Sequence, residues 1–228
     1  IYGACVKIAM IMAMITQAFR YAYEPFVFGK AKDKNSGETY ATVMKFFIIF
    51  TLLAFLAVMF YLDILRHIIG RDYWPGLRVV PIVMAAEIFM GIYFNLSFWY
   101  KLIDETRWGA YFSLIGCTVL VVMNILLIPR YSYMACAWAG FCVYGIAMLL
   151  SYFVGQKKYP IQYDLKAIGG YVLLAAVLYL AAEYVPIDNI YLRMAYRTIL
   201  LLVFVVYIVW RDMPLGSIPV INKLIRKQ

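Results

Sequence analysis

The sequence predicts an all-α fold, a polytopic transmembrane helical bundle of about seven spans, on three observations. Hydrophobic residues make up 66% of the 228 and charged residues only 14%, against about 45–50% and about 25% in a soluble globular domain. Mean hydropathy is +0.82. The apolar residues gather in runs of about 20, the length a helix needs to cross the hydrocarbon core, and lack the alternation of a barrel strand. A helix satisfies its own backbone in lipid, which an open strand cannot do. This composition excludes a secreted disulfide scaffold, a disordered chain and a nucleic-acid-binding module, despite a net charge of +9.

The first run covers about 1 to 23 and is followed by a polar connection from Gly29 to Glu38. The second, about 42 to 65, leads into a turn-rich connection from Gly70 to Pro75, after which the third covers about 79 to 100. The fourth, about 108 to 128, and the fifth, about 132 to 154, are joined by a Pro129-marked hairpin between Ile128 and Ser132. A polar stretch from Gln156 to Lys166 precedes the sixth, about 167 to 185, and Pro186 to Asn189 separates it from the seventh, about 192 to 210. Residues 1–155 thus form a bundle of five spans, 156–211 add two helices, and 212–228 form a basic tail. No long hydrophilic loop is present to hold a catalytic domain.

Basic residues are distributed unequally between the two sides. One side carries twelve (Lys30, Lys32, Lys34, Lys101, Arg107, Lys157, Lys158, Lys166, Arg211, Lys223, Arg226, Lys227) and the other five (Arg66, Arg71, Arg78, Arg130, Arg193). The richer side is expected in the cytoplasm. The C-terminus is then cytoplasmic, and an odd number of spans starts Ile1 on the outer side. With neither a methionine nor a signal-peptide layout at that start, the chain is expected to be a fragment preceded by further spans. From Ser217 to Gln228, Ile218, Ile221, Leu224 and Ile225 share a helical face opposite Lys223, Arg226 and Lys227. This pattern suits either docking on an anionic inner leaflet or an ordinary basic terminus.

The usual marks of metal, redox or hydrolytic chemistry are missing. His67 stands beside Arg66 without ligand-spaced neighbours, and Cys5, Cys117, Cys136 and Cys142 lie inside spans without a CxxC. There is no GxSxG, Walker loop or GxGxxG. The expectation is therefore a protein that is not an enzyme and uses no cofactor or metal. What the sequence does contain is ionisable residues at membrane depth, each costly there and so a functional candidate. They are Lys7, Arg20, Glu24, Lys45, Glu87 and Arg197. Lys45 and Arg197 lie within about two turns of span ends and are expected to snorkel to the interface. Glu87 is the deepest, about eight residues or roughly 12 Å inside its span, with Asn95 further along the same helix. Gln17, Arg20 and Glu24 share a face of the first span at i, i+3, i+7 spacing. Arg20 and Glu24 could also simply neutralise each other at i, i+4. Trp74, Trp99, Trp108 and Trp210 fall near span ends, as an interfacial belt does.

Several runs carry a family resemblance: the opening Ile-Tyr-Gly-Ala with Lys7, Gln-Ala-Phe-Arg-Tyr-Ala-Tyr-Glu-Pro-Phe at 17–26, Ile-Gly-Arg-Asp-Tyr-Trp-Pro-Gly-Leu at 69–77, and Asn-Ile-Leu-Leu-Ile-Pro at 124–129 followed by Ala135, Ala137 and Ala139. Together they resemble the C-terminal half of polysaccharide biosynthesis proteins, the lipid-linked oligosaccharide flippases of the multidrug/oligosaccharidyl-lipid/polysaccharide exporter superfamily. One departure is Ser132 with Ala135 where many members carry glycine after the proline, which predicts slightly looser packing there. The resemblance implies a fourteen-span protein with both termini cytoplasmic. Seven spans that start outside and end inside match its spans eight to fourteen, in agreement with the charge count.

The resemblance further implies alternating access by two bundles about a midplane site in the bacterial inner membrane. The cargo would be an undecaprenyl-diphosphate-linked oligosaccharide, whose diphosphate needs cationic partners. Lys7 and Arg20, with Gln17, are the substrate-binding candidates, and Glu24 and Glu87 are candidates for charge balance or for a coupling proton or sodium ion. The partners implied are the lipid-linked oligosaccharide, the bilayer and an N-terminal half of the same protein. Three other classes compete: a multidrug antiporter of the same superfamily, which needs acidic cavity groups; a glycan polymerase or ligase, for which the outer connection from Arg66 to Arg78 is short; and an assembly protein, which has no need of Glu87.

Overall fold

A computed structural model describes residues 2–30, 35–185 and 187–212, and among these every regular element is helical. Seven helical stretches are long and apolar enough to cross a membrane: Tyr2–Lys30, Ser36–Phe60, Arg71–Leu102, Arg107–Tyr131, Tyr133–Lys158, Leu165–Tyr184 and Ile190–Asp212. The amphipathic pattern expected from Ser217 to Gln228 lies outside the described residues.

Helix α1 (Tyr2–Lys30) runs beyond the expected end near residue 23, because Pro25 is carried inside the helix. Helix α2 (Ser36–Phe60) begins earlier than its apolar run, since Ser36 to Tyr40 are helical although polar, with Glu38 in the first turn, where a carboxylate suits the helix dipole. It also ends earlier, at Phe60. A short α3 (Leu62–Leu65) follows, then a 3-10 turn at Arg66–Ile68. The connection expected as a turn from Gly70 to Pro75 is instead part of a nine-residue 3-10 helix, Arg71–Val79, unusually long for that geometry. It feeds directly into α4 (Val80–Leu96), whose Pro81 sits in the first turn, where no backbone N–H is needed. At Ser97 the helix breaks and resumes as α5 (Phe98–Leu102), with the Ser97 hydroxyl donating to the Phe94 carbonyl at 2.7 Å.

Helices α6 (Arg107–Tyr131) and α7 (Tyr133–Lys158) are separated by Ser132 alone, at φ 51° and ψ −133°. The strain of this hairpin therefore sits in one residue. Its flank is not loose: Ala135, Ala137 and Ala139 are all at most 2% exposed. Asp164 caps α8 (Leu165–Tyr184) by accepting from the Ala167 N–H at 3.0 Å, and α9 (Ile190–Asp212) completes the chain described.

Helix α4 is the centre of the fold, packed on α7, α1 and α2. Small residues permit the close approaches: Gly91 meets Phe47 of α2 and Thr16 of α1, and Gly145 of α7 meets Phe89 of α4. In lipid such fitting, rather than burial from water, drives helix association. On the other side of α2 lie α8 and α9, which also pack on each other. Helix α6 packs along α7 and buries only Phe112 and Gly116. The contacts also define two ends. Cys5 meets Tyr73, and Asp63 meets Arg197, at one end; Glu24 meets Lys101, Glu105 meets Lys158, and Lys45 meets Asp212 at the other.

Candidate functional site

The cations and amide of α1 mark the candidate site, and the backbone places them at different depths. Lys7 is exposed near the Tyr2 end, where it lines a cavity of about 460 Å³ with Leu65, Ile68 and Tyr73. No carboxylate lies within ion-pair distance of its ammonium among the described residues. Gln17 is half-buried at the middle of the helix, and its side chain makes no hydrogen bond among the described residues. Arg20 is half-buried in turn, with its guanidinium 4.4 Å from the centre of the Phe94 ring, a cation–π contact across to α4.

Glu24 was expected either to act in the site or to neutralise Arg20. Its closest partner is instead Lys101 of α5, whose ammonium donates to Oε1 at 2.8 Å, while Arg20 Nε stands 4.0 Å from Oε2. The lysine engages the carboxylate and leaves Arg20 mainly on an aromatic face. Glu87 of α4 is half-buried, within electrostatic reach of Tyr2 of α1 and Tyr144 of α7, and forms no ion pair among the described residues. Near the end of α4, Asn95 donates to its own helix at Gly91, 2.9 Å away, and its buried Oδ1 has no donor among the described residues.

These residues do not converge on one point. At 1.5 Å per residue Lys7 and Arg20 are about 20 Å apart along α1, too far for a single diphosphate to touch both at once. What the structure offers along α1 is polar side chains at two levels, Lys7 near the Tyr2 end and Gln17 with Arg20 past the middle, separated by exposed Met10, Ile11 and Met14. Metal chemistry has no counterpart among the described residues, where no three His, Cys, Asp or Glu side chains gather.

Lys45 and Arg197, expected to snorkel, are ion-paired. Lys45 donates to Asp212 at 2.6 Å, and the same carboxylate accepts from the buried Tyr171 hydroxyl, which joins α2, α9 and α8. Arg197 donates to Asp63 at 2.9 Å and to the Phe60 carbonyl at 3.2 Å. The sequence reading singled out none of Asp63, Tyr171 and Asp212, and counted Lys101 only among the basic residues of one side. Their only signal was an acid lying near a span end opposite a basic residue in a distant span.

At the loop between α5 and α6, Glu105 accepts from Trp108 at 2.7 Å and from Lys158 at 3.3 Å. Those two donors hold its carboxyl below the ordinary carboxylate range. Comparison of the chain with family models, with curated proteins and with solved structures finds no match.

Proposed function

We propose that the chain forms one half of a membrane transporter that flips an undecaprenyl-diphosphate-linked oligosaccharide by alternating access. The observation that carries this reading is the exposed cation of α1, Lys7, with Gln17 and Arg20 further along the same helix. Lys7 is exposed within a span and forms no ion pair among the described residues, and Gln17 and Arg20 lie at a second level of the helix. A lone ammonium facing hydrocarbon is costly, so this face belongs against water or an anionic ligand. A second set of spans from the same protein, set opposite α1, would enclose that water as a cavity.

In this reading the lysine-rich end is cytoplasmic in the bacterial inner membrane, by the excess of Lys and Arg there. The separation of Lys7 from Arg20 divides their work. Arg20, nearer the lysine-rich end, receives the diphosphate from the cytoplasmic side, and Lys7 holds it near the opposite exit after the bundles rock. Gln17, between them, offers hydrogen bonds to the glycan. Glu87 balances the cations or carries a coupling proton or sodium ion. A drug/cation antiporter is the second reading, favoured by the one observation that Glu87 has no cationic partner among the described residues.

The test is complementation of a bacterial strain lacking its own oligosaccharide flippase. The complete protein is used, with Lys7→Ala, Arg20→Ala and Glu87→Ala made separately and protein levels checked. Surface glycan is expected to fall at least tenfold with Lys7→Ala and Arg20→Ala at unchanged expression. Normal export by all three variants would overturn the site. Failure of the unmutated protein to complement, together with drug resistance that depends on Glu87, would favour the antiporter.

A further inference from the structure

A second concentration of charge lies away from the α1 cations, where α2 and α3 meet the start of α9. Asp63 is surrounded by three guanidinium groups: Arg197 at 2.9 Å, Arg193 at 3.2 Å and Arg66 at 3.5 Å. Three cations share one carboxylate, an excess of two positive charges within a single cluster. Each arginine also has a buried Nε–H without an acceptor among the described residues; Arg193 Nε is near Asp63 Oδ2 but is not aligned to donate to it. Unmet buried donors are costly, and Arg forks match phosphate oxygens.

The cluster is shaped to be reached from outside. Arg197 is nearly enclosed, at 12% side-chain exposure, whereas Arg66 and Arg193 remain about 30% exposed. Trp74 lines the approach, with its ring 4.5 Å from the Arg66 guanidinium and its indole N–H donating to the Arg66 carbonyl at 3.1 Å. His67 stands edge-on to the same ring at 5.6 Å. Of the other acids at this end, Glu183, Asp72 and Asp188 are exposed and form no ion pair with the three arginines among the described residues. A tryptophan beside arginines at the end of a span is the composition of a headgroup-level surface.

We infer that Arg66, Arg193 and Arg197 form a binding site for a phosphate-bearing anion, supplied by the headgroup of an anionic phospholipid packed at the α2–α9 end. The inference does not depend on the transport reading, since none of its residues lies on α1. The phosphate would take the donors that Asp63 leaves unused and lock α9 onto α2.

The test is native mass spectrometry of the full chain released from micelles. Dioleoyl-phosphatidylglycerol or dioleoyl-phosphatidylcholine is present at equal concentration, and inorganic phosphate is run as a separate arm. The wild type is expected to retain phosphatidylglycerol at least fivefold over phosphatidylcholine. Arg193→Gln should abolish the preference, while Arg130→Gln, outside the cluster, should leave it intact. Asp63→Asn removes the competing carboxylate but keeps the guanidiniums, and should raise retention. A purely structural ion cluster would instead lose thermal stability in Asp63→Asn with no gain in lipid. Phosphate binding that is sensitive to Arg193→Gln, without lipid preference, would keep the anion site and assign it to a free ion. Equal retention of both lipids with no phosphate binding, or retention indifferent to both Arg193→Gln and Asp63→Asn, would overturn the inference.

Discussion

At the residue scale, two positions show opposite relations between side chain and backbone. A Cβ on Gly91 would lie 2.9 Å from Phe47 Cε1 and 3.0 Å from Thr16 Cγ2, and Phe47 is 1% exposed with no room to retreat. Gly91→Ala should therefore cost about 1–3 kcal/mol, read as a lower unfolding midpoint in detergent, and Phe47→Leu should relieve part of that cost in the double variant. Ser132 has a side chain where the backbone prefers none. Its φ of 51° with ψ of −133° lies in a region that glycine alone enters freely. Ser132→Gly should stabilise the protein by about 1 kcal/mol, checked by the same melt.

At the element scale, ion pairs decide which helices stay together. Helix α9 is held to α2 at one end by Lys45–Asp212 and to α3 at the other by Asp63 with Arg193 and Arg197. Removing Lys45 strands the Asp212 charge, and removing Arg197 takes from Asp63 the shortest of its ion pairs. Lys45→Ala and Arg197→Ala are each expected to cost about 1–3 kcal/mol. Their effects should add to within about 0.5 kcal/mol, because the two clamps share no residue and lie a helix length apart; equilibrium unfolding of the single and double variants measures this. At the α5–α6 loop, Glu105 gives a pH dependence of known sign. Its carboxyl is held below the ordinary range by Trp108 and Lys158, so its stabilising effect is complete above the ordinary carboxylate pKa of 4.5. That effect is lost as pH falls through the lower folded value. Unfolding followed from pH 7 down to pH 3 should show a decline that Glu105→Gln removes.

At the scale of the whole molecule, the open face of α1 and the exposed face of α6 carry different chemistry. Lys7 and Arg20 mark a wet path in the transport reading, whereas exposed Leu126 and Ile125 of α6 suit lipid. Lys7→Cys and Arg20→Cys in the complete protein should react with a membrane-impermeant maleimide, and Leu126→Cys should not. Equal labelling of all three would remove the distinction between the two faces.

The seven spans were legible because a run of about 20 apolar residues has few other uses. Their ends were less legible, since hydropathy does not register helical polar residues such as Ser36 to Tyr40, or a proline that a helix accommodates, such as Pro25. The long 3-10 helix at Arg71–Val79 read as a turn because Gly70, Pro75 and Gly76 are turn residues in sequence. The charges at membrane depth were also legible one by one. Their partners were not, because Glu24 finds Lys101 at a sequence separation of 77, beyond any periodicity of a single helix.

The two clamps on α9 also bear on how the chain is made. Lys45 is translated 167 residues before Asp212, and Asp63 precedes Arg197 by 134. At about 5–20 residues per second, synthesis takes roughly 10–30 s to cover the longer of these gaps. Through that interval Lys45 of α2 waits for its carboxylate, and Asp63 of α3 has only Arg66 of its eventual three arginines. Insertion of α2 and α3 is provisional until α9 arrives, which makes α9 the step at which a chain with open clamps and one with closed clamps become distinguishable to the cell's quality control.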